Sequence, residues 1–278
     1  MSSAPSKMKL IKQKATRIRR HVCQMTCRSQ SGHPGGSLSM TDIIACLYFG
    51  GVLKYDCKNP EWEGRDYFIL SKGHAAPALY ATLAEAGFIP AKVLETLRVM
   101  GSPLQGHPDR RSIPGVEMST GSLGQGLSAC VGLASGLRLD KKDNRVFCIM
   151  GDGEIQEGQV WEAAMCAAHY KLKNLTAIVD RNKLQIDGQT ENVMALGDIA
   201  AKFEAFGWKV LSIDGHDHEQ IVAALDAKQL DSEKPLFILA DTTKGKGVSF
   251  MENNVNFHGV APTTDECDTA LCELVLEE

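Results

Sequence analysis

The chain predicts an α/β fold, a mostly parallel sheet with helices on both faces, and three observations point there. Its second half alternates short apolar runs with amphipathic segments, the pattern of strands joined by crossover helices. The loops after those apolar runs hold the glycines, histidines and Asp/Asn residues, where open α/β sheets place their ligands. A length of 278 residues with 44% hydrophobic and 23% charged content suits one globular domain with a well-buried core, so a single domain over 1–278 is expected.

A first helix is predicted over 7–28. Ile11, Ala15, Ile18, Val22 and Met25 recur in steps of four and three, which makes a core-facing stripe. No Asp or Glu precedes Asp42, while Lys7, Lys9, Lys12, Lys14, Arg17, Arg19 and Arg20 crowd the start. Basic, acid-free, amphipathic beginnings also mark organellar transit peptides. The stripe runs straight into a glycine-bearing loop at 31–36, which favours a structural helix with a solvated basic face. Further helices are expected over 40–50, 75–86, 91–99, 124–139, 159–170, 199–206 and 219–228. Strands are expected over 66–70, 145–150, 174–179, 209–213 and 235–240. Between 248 and 265 the chain is long and irregular, and is expected to form a mobile site loop.

Bulk properties exclude several classes. A net charge of −4 argues against nucleic-acid binding. No apolar run approaches the length of a membrane span. The nine cysteines are scattered and form no CxxC pair, which points to reduced core thiols in a cytoplasmic protein rather than a disulfide framework or zinc site.

The sharpest chemistry lies at Gly151-Asp152-Gly153 together with Asn182. Arg145 to Met150 reads as a buried strand ended by Gly151, and the strand over 174–179 closes on Asp180-Arg181-Asn182. A strand–helix–strand crossover within one sheet is parallel and right-handed. Both strands then finish on one edge, where Asp152 and Asn182 would face each other as two oxygen ligands for a hard cation. Mg2+, or Ca2+ or Mn2+ in its place, takes oxygen ligands and shares its shell with phosphate and water. Glycines on both sides of Asp152 allow the backbone to approach a phosphate closely. A helix starting near Glu157 adds free N–H groups and the positive end of a dipole. Gly-Asp-Gly alone is a common turn; the strand before it, the crossover and the second strand end are what give it weight.

This pattern resembles the thiamine diphosphate motif. Ser31-Gly32-His33-Pro34-Gly35-Gly36, Ser71-Lys72-Gly73-His74-Ala75, Gly106-His107-Pro108, Thr120-Gly121-Ser122-Leu123-Gly124-Gln125-Gly126, Gly151-Asp152-Gly153-Glu154-Ile155-Gln156-Glu157-Gly158 and Asn256-Phe257-His258-Gly259 follow in this order. Together they resemble the N-terminal, diphosphate-binding half of a transketolase, over about 7–258. A full transketolase continues into a pyrimidine-binding and a C-terminal domain, so the chain resembles the first subunit of a split transketolase.

The resemblance implies a thiamine diphosphate-binding fold and a set of roles. Asp152, Asn182 and the Leu184 carbonyl would hold the metal. Gly151 and Gly153 would meet the diphosphate, and Gly121 and Leu123 would line the cofactor. His33 and His258 would contact sugar hydroxyls and assist proton transfer, His258 and His74 would lie near the diphosphate, and His107 would bind donor hydroxyls. Imidazoles suit oxygens that gain charge near neutral pH. His21, His169, His216 and His218 match no such position; Asp217 between the last two is a simple helix N-cap. Glu157 either favours the helix dipole alone or faces a partner glutamate that activates the cofactor. Lys244 either reaches the diphosphate or coats a loop.

The implied reaction is two-carbon ketol transfer from a ketose to an aldose, with thiamine diphosphate carrying the difficult chemistry. The implied partner is a complementary C-terminal subunit in an α2β2 assembly, and the implied substrates are phosphorylated sugars. Alternatives are an α subunit of a 2-oxoacid dehydrogenase, a deoxyxylulose-phosphate synthase relative, or a non-catalytic protein that keeps the fold. The histidine loops at 31–36 and 106–108 favour transketolase among the enzymes.

Overall fold

The structure, a computed structural model, describes residues 4–230 and 233–276. In chain order it comprises α1 (Ala4–Ser29), α2 (Pro34–Ser39), α3 (Thr41–Phe49), β1 (Tyr67–Leu70), α4 (Ala76–Glu85) and α5 (Gln125–Leu139). Next come β2 (Val146–Gly151), α6 (Gly158–His169), β3 (Leu175–Arg181), a small hairpin of β4 (Leu184–Gln185) and β5 (Gly188–Gln189), and α7 (Thr190–Val193). The remainder is α8 (Ile199–Ala205), β6 (Lys209–Asp214), α9 (His218–Leu225), β7 (Leu236–Asp241) and α10 (Thr264–Glu273).

Five strands form one sheet in the order β1-β2-β3-β7-β6, and every pairing is parallel. Side chains of successive strand residues point to opposite faces, and here both faces are covered. Phe147 and Ile149 join a cluster built with α1, α3, α4, α9 and α10. Val146, Cys148 and Met150 join a second cluster built with α5, α6 and α8. That is why β2 is apolar at every position rather than at alternate ones. On the second face Phe203 of α8 stacks on Phe237 with ring centroids 3.6 Å apart. Nearby, the Trp208 indole N–H donates to the Ala164 carbonyl at 2.9 Å, fixing the start of β6 against α6. The fold class is therefore the one the sequence predicts.

The predicted stripe of α1 is its buried face: Ile11, Ala15, Ile18 and Val22 are at most 1% exposed. Several boundaries differ from expectation. The helix expected over 91–99 is only a 3₁₀ segment, Ala91–Thr96, because the chain turns at Arg98, which adopts a left-handed φ of 60°. The helix expected over 219–228 ends at Leu225. Asp226 leaves helical geometry there and its side chain caps a separate turn, Ala227–Gln229, through Lys228 N–H at 2.8 Å. The stretch 248–265, expected to be irregular, contains a 3₁₀ turn, Val255–His258, and ends in the capping box of α10, where Thr263 and Glu266 cap each other's N–H groups. Nine cysteines are unpaired, and five of them are buried. Among the described residues no helix is long and apolar enough to cross a membrane.

One buried ionic hub ties three elements. Asp42 of α3 accepts two hydrogen bonds from the Arg19 guanidinium of α1, at 2.6 and 3.0 Å. It also meets His216 Nδ1 at 2.8 Å and His218 Nε2 at 2.9 Å, at the turn between β6 and α9. Burial pushes the Asp42 carboxyl up, but Arg19 and the two imidazoles outweigh it and hold it well below its ordinary 3.8. A carboxyl depressed in this way stabilises the fold fully above the unfolded value of 3.8, and loses that contribution as pH falls through its lower folded value. Asp42→Asn is expected to cost about 3–5 kcal/mol at neutral pH, since it leaves a buried guanidinium without its counter-charge. Urea midpoints of the two proteins should converge as the pH is taken below 3.8; a gap that stays constant would show that the charge is not what stabilises this hub.

Candidate active site

All five strands of the main sheet point the same way, so the loops after Leu70, Gly151, Arg181, Asp214 and Asp241 share one edge. Gly151 pairs with Asp180, and Arg181 and Asp214 both pair with Asp241, so these strands end level. The centre of the edge is Asp180, which is 0% exposed. Its carboxylate accepts from Lys72 Nζ at 2.5 Å, from Ser39 Oγ at 2.5 Å, from Asn182 Nδ2 at 3.3 Å and from the Thr242 hydroxyl. The loops after β1, β3 and β7 and the end of α2 are thereby joined at one oxygen pair. Burial pushes this carboxyl up, and Lys72 with the hydroxyl donors more than offsets it, leaving it below its ordinary value.

Asp152 stands beside this group and is 3% exposed. One oxygen accepts from Gly153 N–H at 2.9 Å; the other accepts from Lys183 N–H at 2.7 Å and Thr190 Oγ1 at 3.2 Å. The second oxygen therefore faces the turn that carries Asn182 and Leu184, as the crossover argument requires. Asn182 Oδ1 accepts from Leu184 N–H at 3.2 Å. Asp152 has no ion pair among the described residues, and burial with the neighbouring Asp180 charge raises its carboxyl. No group of three His, Cys, Asp or Glu side chains able to hold a metal occurs among the described residues. A cation here would draw on one carboxylate, one amide and one carbonyl. The N–H groups of the motif are partly engaged, since Gly153 donates to Asp152 and Gly151 donates to Glu154 at 3.0 Å.

Lys244 follows β7 and is 1% exposed. Its Nζ donates to the Leu184 carbonyl at 3.1 Å and lies 2.8 Å from His258 Nδ1. Burial and then repulsion from Lys72 bring it down to about 8, against the pull of Asp152 and Asp180. It does not coat the loop; it points into the site. His33, His74 and His258 form a triangle with ring centroids 5.4 to 5.7 Å apart. His33 Nδ1 is buried without a hydrogen-bond partner among the described residues. Burial, with nearby cations, lowers His33 to about 4, His258 to about 3 and His74 well below its ordinary value.

The fourth predicted histidine, His107, is exposed at the rim. Its ring lies against Gly121, where an added Cβ would stand 3.0 Å from Cδ2. Gly73 brings the loop after β1 equally close to the same segment, since a Cβ there would meet Gly121 N at 2.8 Å. Gly124 begins α5 at φ 78°, and a Cβ would strike that of Glu157 at 2.6 Å. The carbonyl of Leu123 accepts from Gln159 Nε2 at 3.2 Å. Glu157 is not in a first helical turn as expected: a separate 3₁₀ turn, Gly153–Gln156, follows Asp152, and Glu157 takes the extended N-cap position before α6. Its side chain is exposed beside Gly124.

The family model for transketolase, thiamine diphosphate binding domain, matches residues 11–277. The chain belongs to the transketolase family. The 6-deoxy-6-sulfo-D-fructose transketolase subunit SqwG of Clostridium sp. (strain MSTE9) is 46% identical over 88% of this chain and 89% of that protein. An apulose-4-phosphate transketolase subunit of Phocaeicola vulgatus is 42% identical over 92% of this chain and 90% of that protein. Among solved structures, the transketolase of Campylobacter jejuni superposes with a TM-score of 0.89 at 35% identity, covering 95% of this chain and 42% of its own. This transketolase-family chain thus spans about two fifths of a single-chain relative but nearly the whole of relatives named as subunits.

Some residues of this transketolase-family site carry no signal in the sequence. Lys72 lies inside a motif, but its partner Asp180 is 108 positions away. Glu154 is 3% exposed and accepts from Ser71, from Gly124 N–H at 2.9 Å and from Gly151 N–H, clamping three loops. Arg98 adds positive charge beside His33 and His107 and lowers both, after burial. His216 and His218, expected to be incidental, bind Asp42, and His216 Nε2 accepts from Thr243 N–H at 2.8 Å next to Lys244.

Depressed imidazoles fix the direction of a pH effect. Below the ordinary 6.5 the unfolded chain takes up protons that His33 refuses until about 4 and His258 until about 3, so these residues favour unfolding as the medium becomes acidic. Long-range 15N–1H correlation spectra should show both rings neutral from pH 8 down to pH about 5. A midpoint near 6.5 for either ring would mean that the pocket does not exclude the charged form.

Proposed function

We propose that this chain is the diphosphate-binding subunit of a two-chain transketolase. With a complementary C-terminal subunit it transfers a two-carbon ketol unit from a ketose to an aldose, both of them phosphorylated sugars. The observation that carries this is the convergence of Asp152, the Asn182–Leu184 turn, Lys244 and three imidazoles on one sheet edge, in a chain 46% and 42% identical to relatives named as transketolase subunits. The single domain spans 1–278, the assembly is α2β2, and the compartment is the cytoplasm.

The donor set fits a divalent cation such as Mg2+. A buried carboxylate without a counter-ion, an amide and a carbonyl are hard oxygen ligands, and diphosphate oxygens and water complete such shells. Asp152, Asn182 and the Leu184 carbonyl would hold it. Lys244, His74 and His258 would lie along the diphosphate, with Gly151 and Gly153 allowing its close approach and Gly121 and Leu123 lining the cofactor. Thiamine diphosphate, when bound, supplies a carbanion and an electron sink. The chain's own residues bind and steer protons. Neutral His33 and His258 accept or donate at sugar hydroxyls, and His107 at the rim holds a donor hydroxyl. Glu157 faces the partner, where it meets the glutamate that activates the cofactor.

Favouring transketolase over a 2-oxoacid dehydrogenase or a deoxyxylulose-phosphate synthase are the filled histidine triangle and the named relatives. A merely structural protein would not need an unpaired buried carboxylate.

Asp152→Asn keeps the volume and removes the charge. It should weaken Mg2+-dependent thiamine diphosphate binding by at least about 10–100-fold in calorimetry, the loss seen when groups that only orient a metal ligand are removed. Unchanged affinity would remove Asp152 from the metal's shell.

The purified chain alone should show no ketol transfer from a ketose phosphate, and activity should appear on adding the complementary subunit. Robust turnover by the single chain, or turnover of a 2-oxoacid instead, would overturn the two-chain transketolase proposal.

A further inference from the structure

The opposite edge of the sheet, where the strands begin, holds a cavity of about 1080 Å³ that the cofactor site does not use. Ligand pockets run to about 300–1,000 Å³, so its size suits a small organic molecule. Its lining contains eight cationic side chains, among them Lys7, Lys54, Arg138, Lys141, Arg145 and Lys173, against four anionic ones. The imbalance stands out in a chain whose net charge is −4.

Three of the four acids are already engaged. Asp226 accepts from Lys228 N–H at 2.8 Å as the cap of its turn. Asp66 receives the backbone N–H groups of Arg145 at 2.8 Å and Lys54 at 3.0 Å, and Glu233 pairs with Lys171. Lys54, Lys141 and Lys173 have no ion pair among the described residues.

Arg145 lies just before β2, and it is only 8% exposed. Its guanidinium stacks on Phe147 at 4.5 Å, and Nη2 donates to the Leu225 carbonyl at 3.0 Å. Among the described residues Nε is buried with no hydrogen-bond partner, and the bond from Nη2 to Leu225 is the guanidinium's one hydrogen bond there. No carboxylate forms an ion pair with it there. A buried guanidinium without a counter-charge is costly, and five donors in a planar fork match phosphate oxygens. Burial lowers its hold on the proton despite Asp66 and Asp226.

We propose that this cavity is a second ligand site, separate from the cofactor edge, which binds a phosphorylated small molecule with its phosphate facing Arg145 and its other charges met by Lys141 and Lys173. Arg145 fixes the phosphate by directional hydrogen bonds, and the exposed lysines raise affinity by charge.

The full-length chain, without divalent metal, is titrated with inorganic pyrophosphate while the Arg145 Nε–H resonance, assigned by Arg145→Lys, is followed by NMR. The resonance should move saturably. The exposed double variant Lys141→Gln/Lys173→Gln should raise the midpoint by about thirtyfold, as the loss of two charges at contact distance in water implies. A Lys244→Gln chain, altered at the other edge, should keep the midpoint. Should Arg145→Lys fail to fold, calorimetry in the Lys244→Gln background, which weakens the cofactor edge, with and without Lys141→Gln/Lys173→Gln, gives the same comparison. ADP and ribose 5-phosphate are then titrated separately; saturable movement by either one supports the site and identifies the organic part it accepts. No movement, a drift matched by NaCl at equal ionic strength, or an unchanged midpoint in the double lysine variant would overturn it.

Discussion

The fold's active edge depends on one buried carboxylate, Asp180. It closes β3, the middle strand of the sheet, and is reached by Lys72, Ser39, Asn182 and Thr242 from four different segments. Each of those segments carries or adjoins a site residue: His74 after Lys72, the end of α2 behind His33, the turn holding Leu184, and Lys244 after Thr242. A parallel sheet brings loop ends to one rim but does not set the distances between them. Asp180 does, because a carboxylate with no exposure must keep its donors or incur the full cost of a bare buried charge.

Charge balance around that carboxylate explains the chemistry of the rim. Two buried aspartates, Asp152 and Asp180, face two buried lysines, Lys72 and Lys244. Lys72 is bound to Asp180 at 2.5 Å, whereas Lys244 reaches only a carbonyl and an imidazole. Among the described residues Asp152 and Lys244 are thus each left without a partner of opposite sign in direct contact. A diphosphate and a divalent cation would meet both needs together. Burial first, and then the cations beside them, push all three imidazoles toward the neutral form. Neutral rings have one donor and one acceptor nitrogen, as proton exchange with hydroxyls requires.

The β2–α6–β3 unit was legible because β2 is apolar on both faces and glycine ends it, and because a crossover between parallel strands has one hand. The stripe of α1 was legible for the same reason of periodicity. The short helix α2 was not. Its Pro34-Gly35-Gly36 start has poor helix propensity, and every residue of it is buried, so packing decides its shape. The site was legible as separate loops but not as a constellation. Nothing in the spacing of Lys72 and Asp180 announces a contact, and a histidine flanking Asp217 looks incidental until the chain brings Asp42 to it. Long-range pairing of polar groups is a property of the folded chain, and single-sequence patterns register only local periodicity.

Glu157 shows what a half-site implies. It sits at the mouth, exposed, with its Cβ pressed close to Gly124, so that any side chain at Gly124 would displace it. An exposed carboxylate near a helix start contributes at most about 0.3–1 kcal/mol through the dipole, too little to require such a close approach. On the two-chain proposal the space is explained by what arrives: a partner surface that desolvates the carboxylate and makes its hydrogen bond strong. Activity is then linked to assembly by mass action, because the same surface that completes the site also stabilises the subunit that binds it. The rim of this chain is tied together at Asp180, while His107 and Glu157 are exposed to water, where on the two-chain proposal a second chain would cover them.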